Sequence, residues 1–161
     1  MILAIAILAL VTLERLGELV LADRNTRGLL AAGGREYGRD HYPWIIAVHV
    51  AWLAVLWWLA PGRPVDPFWL ALFVALIIAR IWVIATLGRR WTTRIIAMPG
   101  EALVRRGPYR FVNHPNYVIV VGEIAVLPLV FGLWPVALIF SALNAAILAV
   151  RIRAENRALG R

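Results

Sequence analysis

The sequence predicts an all-α fold: a polytopic integral membrane protein of about five transmembrane helices, with a C-terminal helical hairpin and a cytoplasmic tail helix. Three observations carry this expectation. First, 62% of the 161 residues are hydrophobic and only 16% are charged, for a mean hydropathy of +0.77. A soluble domain of this size cannot hide so much apolar surface, because about half of its residues must face water. Second, the apolar residues fall into runs close to the roughly 20 residues that a helix needs to cross hydrocarbon. Third, the arginines gather in alternate connecting segments, as the positive-inside rule requires.

Residues 2–22 supply the first span. Its start has neither a basic n-region nor a cleavage site and runs directly into Glu14-Arg15, so a retained helix is expected in place of a signal peptide. Residues 23–42 are polar, with Arg24, Arg27, Arg35, Arg39 and the pair Gly33-Gly34. Pro43 opens a second helix over 44–60, at a position that helix starts tolerate, and Pro61-Gly62-Arg63-Pro64 stops it. A third helix runs from about 67 to 87. Residues 88–115 form the longest polar segment, holding Arg89, Arg90, Arg94, Arg105, Arg106 and Arg110. The apolar stretches 117–131 and 134–150 are each short for a span and read together as a tight hairpin. Residues 151–161 continue out of the membrane as a polar helix. The whole chain, 1–161, is expected to be one domain: three N-terminal helices over 1–87, then the long loop, hairpin and tail over 88–161.

Charge sets the topology and narrows the partners. Arg63 in the loop between helices two and three is balanced by Asp66, whereas segments 23–42, 88–115 and the tail hold almost all other arginines. Five passes with the N-terminus outside satisfy every loop and bring those three polar segments to one, cytoplasmic, face. The net charge is +8 and all 17 basic residues are arginine. In so apolar a chain this charge suits anionic lipid headgroups and not nucleic acid. The 8 tryptophans suit anchoring at two membrane boundaries. No cysteine is present, which excludes disulfides, thiolate chemistry and cysteine metal sites. Neither a Gly-rich dinucleotide fingerprint nor a P-loop occurs, so any cofactor must be held by loops and helix ends at the membrane face; no metal is expected.

Three groups of residues could carry chemistry. Gly107-Pro108-Tyr109-Arg110-Phe111-Val112-Asn113-His114-Pro115-Asn116-Tyr117 places Arg, Asn, His and Tyr between a turn and the mouth of a membrane helix, where free N–H groups favour anions. A plain turn with an interfacial tyrosine explains the same residues. Arg151 and Glu155 share one face of the tail helix, four residues apart; a solvated ion pair explains them equally. Glu14, Arg15, Glu18, His49, Arg80 and Glu123 lie inside spans, where ionisable groups are costly and are functional candidates by default. The structural alternative is a buried network, for instance Arg80 with Glu14 or Glu18, that fixes helix packing.

Together these residues resemble the isoprenylcysteine carboxyl methyltransferase family. There a Gly-Pro-Tyr-Arg turn leads into an Arg/Asn-His-Pro-x-Tyr motif, a helical hairpin, and an Arg-x-x-x-Glu-Glu-x-x-Leu tail. The matches are Gly107-Pro108-Tyr109-Arg110, Asn113-His114-Pro115-Asn116-Tyr117, the hairpin over 117–150, and Arg151, Glu155 and Leu159. The N-terminal part resembles a short bacterial branch, associated with type III polyketide synthases, through Glu14-Arg15-Leu16-Gly17-Glu18, Arg24-Asn25, Gly33-Gly34-Arg35-Glu36-Tyr37-Gly38, His41-Tyr42-Pro43 and Leu87-Gly88-Arg89-Arg90-Trp91-Thr92-Thr93-Arg94. The resemblance implies S-adenosylmethionine as co-substrate and a bacterial inner-membrane location with the site toward the cytoplasm. It implies a cofactor site of Tyr109, Arg110, His114, Pro115, Tyr117, Arg151 and Glu155, and an acceptor that enters from lipid. Glu123 or His114 would be the catalytic base toward a phenol-like acceptor. Asn113 stands where the prenylcysteine enzymes carry Arg, which favours a hydroxyl or enol of an alkylated ring over a carboxylate. Asn156 stands where the tail has its second Glu. A prenylcysteine carboxyl methyltransferase is the alternative within the family. Outside it stand a small proton-coupled exporter using Glu14 and a non-catalytic membrane subunit.

Overall fold

The computed structural model describes residues 1–158. Its five long helices are α1 (Ile2–Ala31), α2 (Tyr42–Leu59), α3 (Pro67–Leu87), α4 (Pro115–Val130) and α5 (Trp134–Ala158). Arg39–Leu59, Pro67–Arg90 and Trp134–Ala158 are long and apolar enough to cross a membrane by length and composition alone. α1 is longer, but Glu14, Arg15 and Glu18 interrupt its apolar run; α4 is apolar and has 16 residues. The protein is an all-α membrane protein, as its composition predicts.

Local sequence explains most boundaries. Asp66 caps α3, its Oδ1 accepting from the Phe68 and Trp69 amides at 2.9 and 3.3 Å, and Pro67 fills the first helical position, where no amide partner is needed. Pro43 stands in the first turn of α2. Between α4 and α5, Gly132 takes φ +65°, and the Leu133 amide returns to the Pro128 carbonyl at 2.9 Å. That closes the hairpin with a left-handed residue where glycine has no Cβ to clash.

Two features depart from the sequence-based expectation. α1 does not stop at Ala22 but continues to Ala31, nine residues into the segment read as a loop, and ends where Gly33 adopts φ +92°. The extension is polar because it packs on loop backbone: buried Asn25 donates from Nδ2 to the carbonyls of Gly88 and Trp91, at 3.2 and 2.8 Å. The second departure is a two-stranded antiparallel sheet, β1 (Arg35–Tyr37) with β2 (Ile95–Ala97), in register Arg35↔Ala97, Glu36↔Ile96 and Tyr37↔Ile95. Three residues are too few for a period-2 signal to show in sequence. The sheet ties the two polar segments together, and Arg151 of α5 reaches them by donating to the Thr93 carbonyl at 2.6 Å. The three arginine-rich segments therefore meet on one face.

α4 is the most enclosed helix. Ile124, Leu127 and Val130 join Leu8, Leu56, Phe73 and Phe131 in the main core. A smaller cluster of Ala22, Val83, Trp91 and Ile119 lies beneath the polar face. Large apolar side chains such as Leu10, Trp58, Ile78 and Leu138 point outward, the arrangement that lipid permits. α3 and α4 approach closely at Gly122, where an added Cβ would meet Leu76 Cδ2 at 2.9 Å. Gly122→Leu is therefore expected to lower stability by roughly 1–3 kcal/mol through overpacking. A lowered midpoint of thermal unfolding in detergent is the readout; an unchanged midpoint would show that the interface yields.

Candidate active site

α4 opens at Pro115, which is buried and fixes the first turn; His114 precedes it and Tyr117 lies within that turn. α5 carries Arg151, Glu155 and Asn156 past that mouth. The side chains interlock. Arg151 Nε donates to the Tyr117 hydroxyl at 2.9 Å, and that hydroxyl donates to Glu155 Oε2. His114 stacks on Tyr117, with ring centroids 5.3 Å apart and planes 16° from parallel. Its Nε2 faces Asn156 Oδ1 at 3.0 Å and its Nδ1 faces Glu155 Oε1 at 3.4 Å. Asn156, where the family tail has a second Glu, thus holds the imidazole by an amide oxygen.

Contacts from the 88–94 segment and from Tyr42 order this cluster. The Thr93 carbonyl holds Arg151, while the Thr93 and Tyr42 hydroxyls bond each other at 2.8 Å. Arg94 lies over the Tyr42 ring, 5.2 Å from its centroid, and donates to Glu36 at 3.1 Å. These residues explain why the 88–94 segment and the Glu36-Tyr37 segment carry recognisable sequence although neither lies near His114 in the chain.

Two cavities meet at the cluster. A polar one of about 180 Å³ is lined by Tyr109, His114, Tyr117, Arg151 and Glu155, with β2 and Leu103 forming an apolar side. A second, about 260 Å³, runs among α1, α2, α4 and α5, with mostly apolar walls. Trp91, Thr92, Asn116, Tyr117 and Arg151 line both. Leu16, Leu19, Ile46 and Val50 line the second cavity between α1 and α2 and are 41–61% exposed on the outside of the bundle. The apolar cavity therefore has a side toward lipid.

Of the sequence-predicted residues, Tyr109, His114, Tyr117, Arg151 and Glu155 come together. Three do not line either cavity. Pro115 acts through the backbone of α4. Arg110 is exposed, its guanidinium 5.1 Å from the Phe111 ring centroid. Glu123, expected near His114 from sequence distance, is 2% exposed and held by Arg15 Nη2 at 3.0 Å and by both Arg80 Nε, at 2.9 Å, and Nη2. Its two carboxylate oxygens are taken up by Arg15 and Arg80, and it lines neither cavity. Glu18 completes the network, bonded to Arg15 and Arg80 at 2.9 and 3.4 Å. Leu159 lies outside the described residues. Sequence reasoning passed over Trp91 and Asn116 as site residues. Their only signal was membership in two recognisable segments.

The donor set suits a zwitterionic nucleoside. Arg151 offers a cation, Glu155 an anion, and Tyr109, Tyr117 and Trp91 aromatic faces. Asn116 Oδ1 and Trp91 Nε1 are buried with no hydrogen-bond partner, an acceptor and a donor left for a ligand. A polar cavity at one end of an apolar bundle is backed by an apolar cavity open toward lipid, so molecules bound in the two would meet at the shared wall. The model of the isoprenylcysteine carboxyl methyltransferase family matches residues 69–161, and this chain belongs to that family. Family members are membrane methyltransferases that use S-adenosylmethionine as methyl donor. The chain is 35% identical over 158 residues to the uncharacterized protein YpbQ of Bacillus subtilis (strain 168), covering 95% of this chain and 94% of that one. It is 27% identical over 151 residues to an uncharacterized protein of Haemophilus influenzae, covering 90% and 88%. No solved structure matches it.

Proposed function

We propose that the protein methylates an oxygen of a lipophilic acceptor, a hydroxyl or enol on an alkylated polyketide-type ring, in a bacterial inner membrane with the polar cavity toward the cytoplasm. The observation that carries this reading is the wall shared by the two cavities, since methyl transfer needs donor and acceptor in contact but separately bound. S-adenosylmethionine in the polar cavity supplies an electrophilic methyl group. Glu155 and Asn116 offer acceptors for its hydroxyl and amino groups, Arg151 a donor for its carboxylate, and the apolar β2 side a surface for its adenine. Trp91 and Tyr117 exclude water from the shared wall, which favours a reaction that neutralises charge. Tyr117 is placed to take the acceptor's proton while passing its own to Glu155, a relay already present as a hydrogen bond. Glu123 has no part in that step; its place is in the helix-binding network.

Two measurements test the reading. Glu155→Ala and His114→Ala are each expected to weaken S-adenosylmethionine binding about 10- to 100-fold, since hydrogen bonds to charged groups contribute about 1.5–3 kcal/mol. Calorimetry in detergent reads this; wild-type affinity in both variants places the site elsewhere. A competition among an alkylresorcinol, an alkylpyrone and a farnesylcysteine analogue, with radiolabelled methyl donor, identifies the acceptor. Preferential labelling of the farnesylcysteine carboxylate would overturn the hydroxyl assignment.

A further inference from the structure

The polar side chains inside the bundle lie in two layers. Asn25, Tyr42, Tyr117 and Arg151 form the upper one, joined through bonds to the 88–93 loop and to each other. About 10 Å deeper, two turns along α1, α2, α4 and α5 at 1.5 Å per residue, Glu18, His49, Glu123 and Asn144 form a second polar level, joined there by Arg15 and by Arg80 of α3. Of these, only Glu123 does not line the acceptor cavity. The cavity is therefore apolar in its walls and polar at both ends.

The inner end is not satisfied by the protein itself. Glu18 Oε2 is bonded to Arg15 and Arg80, but Glu18 Oε1 is buried with no partner. Asn144, 5% exposed, has no partner for Nδ2. Trp52, 2% exposed and lining the same cavity, has none for Nε1. Lipid offers such groups nothing, so unpartnered donors and acceptors inside a span are costly and point to a missing partner.

We infer that Glu18 and Asn144 form a second recognition subsite, which binds a neutral hydroxyl of the acceptor about 10 Å from the oxygen that is methylated. The inference rests on the acceptor reading above. A hydroxyl matches both groups in kind, because it can donate to a carboxylate oxygen such as Glu18 Oε1 and accept from an amide such as Asn144 Nδ2, and both residues line the one cavity. A charged group does not match, because Glu18 stands there beside Arg15 and Arg80, so a ligand of either sign meets a like charge. The acceptor is thus polar at two points, with an apolar body between.

Two rigid phenols test this in the full-length protein in nanodiscs: 4,4′-dihydroxybiphenyl, whose oxygens stand about as far apart as the two layers, and 4-hydroxybiphenyl, which lacks the second hydroxyl. The diol is expected to bind the wild type at least about tenfold tighter, the effect of one satisfied buried hydrogen bond. Asn144→Leu is expected to bring the diol down to the affinity of the mono-phenol, leaving the mono-phenol and S-adenosylmethionine affinities unchanged. Glu18→Gln is the second variant, read in the same way if Asn144→Leu does not fold. Equal affinity of the two phenols for the wild type, binding of neither, or a preference that survives in both variants overturns the subsite. Failure of the wild type to bind S-adenosylmethionine would instead overturn the methyltransferase reading, and the phenol comparison would still report on the subsite.

Discussion

Glu123→Ala is expected to remove about 3–5 kcal/mol of stability, the cost of stranding buried charges, and so to leave little folded protein. Arg15 and Arg80 both end on the Glu123 carboxylate; among the described residues their other close anions are Glu18 and, 3.9 Å from Arg15, Glu14. The network links α1, α3 and α4 inside hydrocarbon, where no water replaces a lost partner. The expected outcome is a large fall in unfolding temperature with loss of folded protein in detergent, measured by thermal denaturation. Replacing Arg80 and Glu123 together by Leu is expected to recover part of the loss, because the charges leave as a pair. A Glu123→Ala protein as stable as wild type, but slow in turnover with normal cofactor affinity, would instead identify Glu123 as a catalytic base.

Arg151→Lys is expected to weaken S-adenosylmethionine binding at least about tenfold, with a larger loss of kcat/KM. The guanidinium donates along two directions at once, from Nε to the Tyr117 hydroxyl and from Nη2 to the Thr93 carbonyl, and it lies over the Tyr117 ring at 5.7 Å. An ammonium keeps the charge but has no planar fork to hold both partners. The variant therefore separates charge from geometry. Calorimetry gives the affinity and a methyl-transfer assay gives kcat/KM. Equal affinity and turnover in Arg151→Lys would show that charge alone suffices there and that the Tyr117 alignment is dispensable.

The parts of this protein legible in the sequence are those set by short-range chemistry. Apolar runs bounded by Asp66-Pro67, Pro43 and Gly132 give the helices, because capping and φ preferences act over a few residues. The arginine distribution predicted that three polar segments share a face, and they do, through β1–β2 and the bond from Arg151 to Thr93. The cluster of His114, Tyr117, Arg151 and Glu155 was legible through the resemblance of the 107–117 turn and the tail to a known family; spacing alone fitted a plain turn and a solvated ion pair as well.

What tertiary structure alone decided concerns residues whose partners lie far away in the chain. Asp23 to Ala31 looked like loop because it is polar; it is helix because Asn25 finds Gly88 and Trp91, 63 and 66 positions later. Glu123 sits near His114 in sequence, yet its chemistry belongs to Arg80, 43 positions earlier, and to Arg15. In hydrocarbon a charge is settled by its partner, and sequence distance says nothing about which cation reaches it. The shared wall of the two cavities belongs to the same class. It is assembled from a loop and two helices, and only their packing brings Trp91, Asn116 and Arg151 to one place.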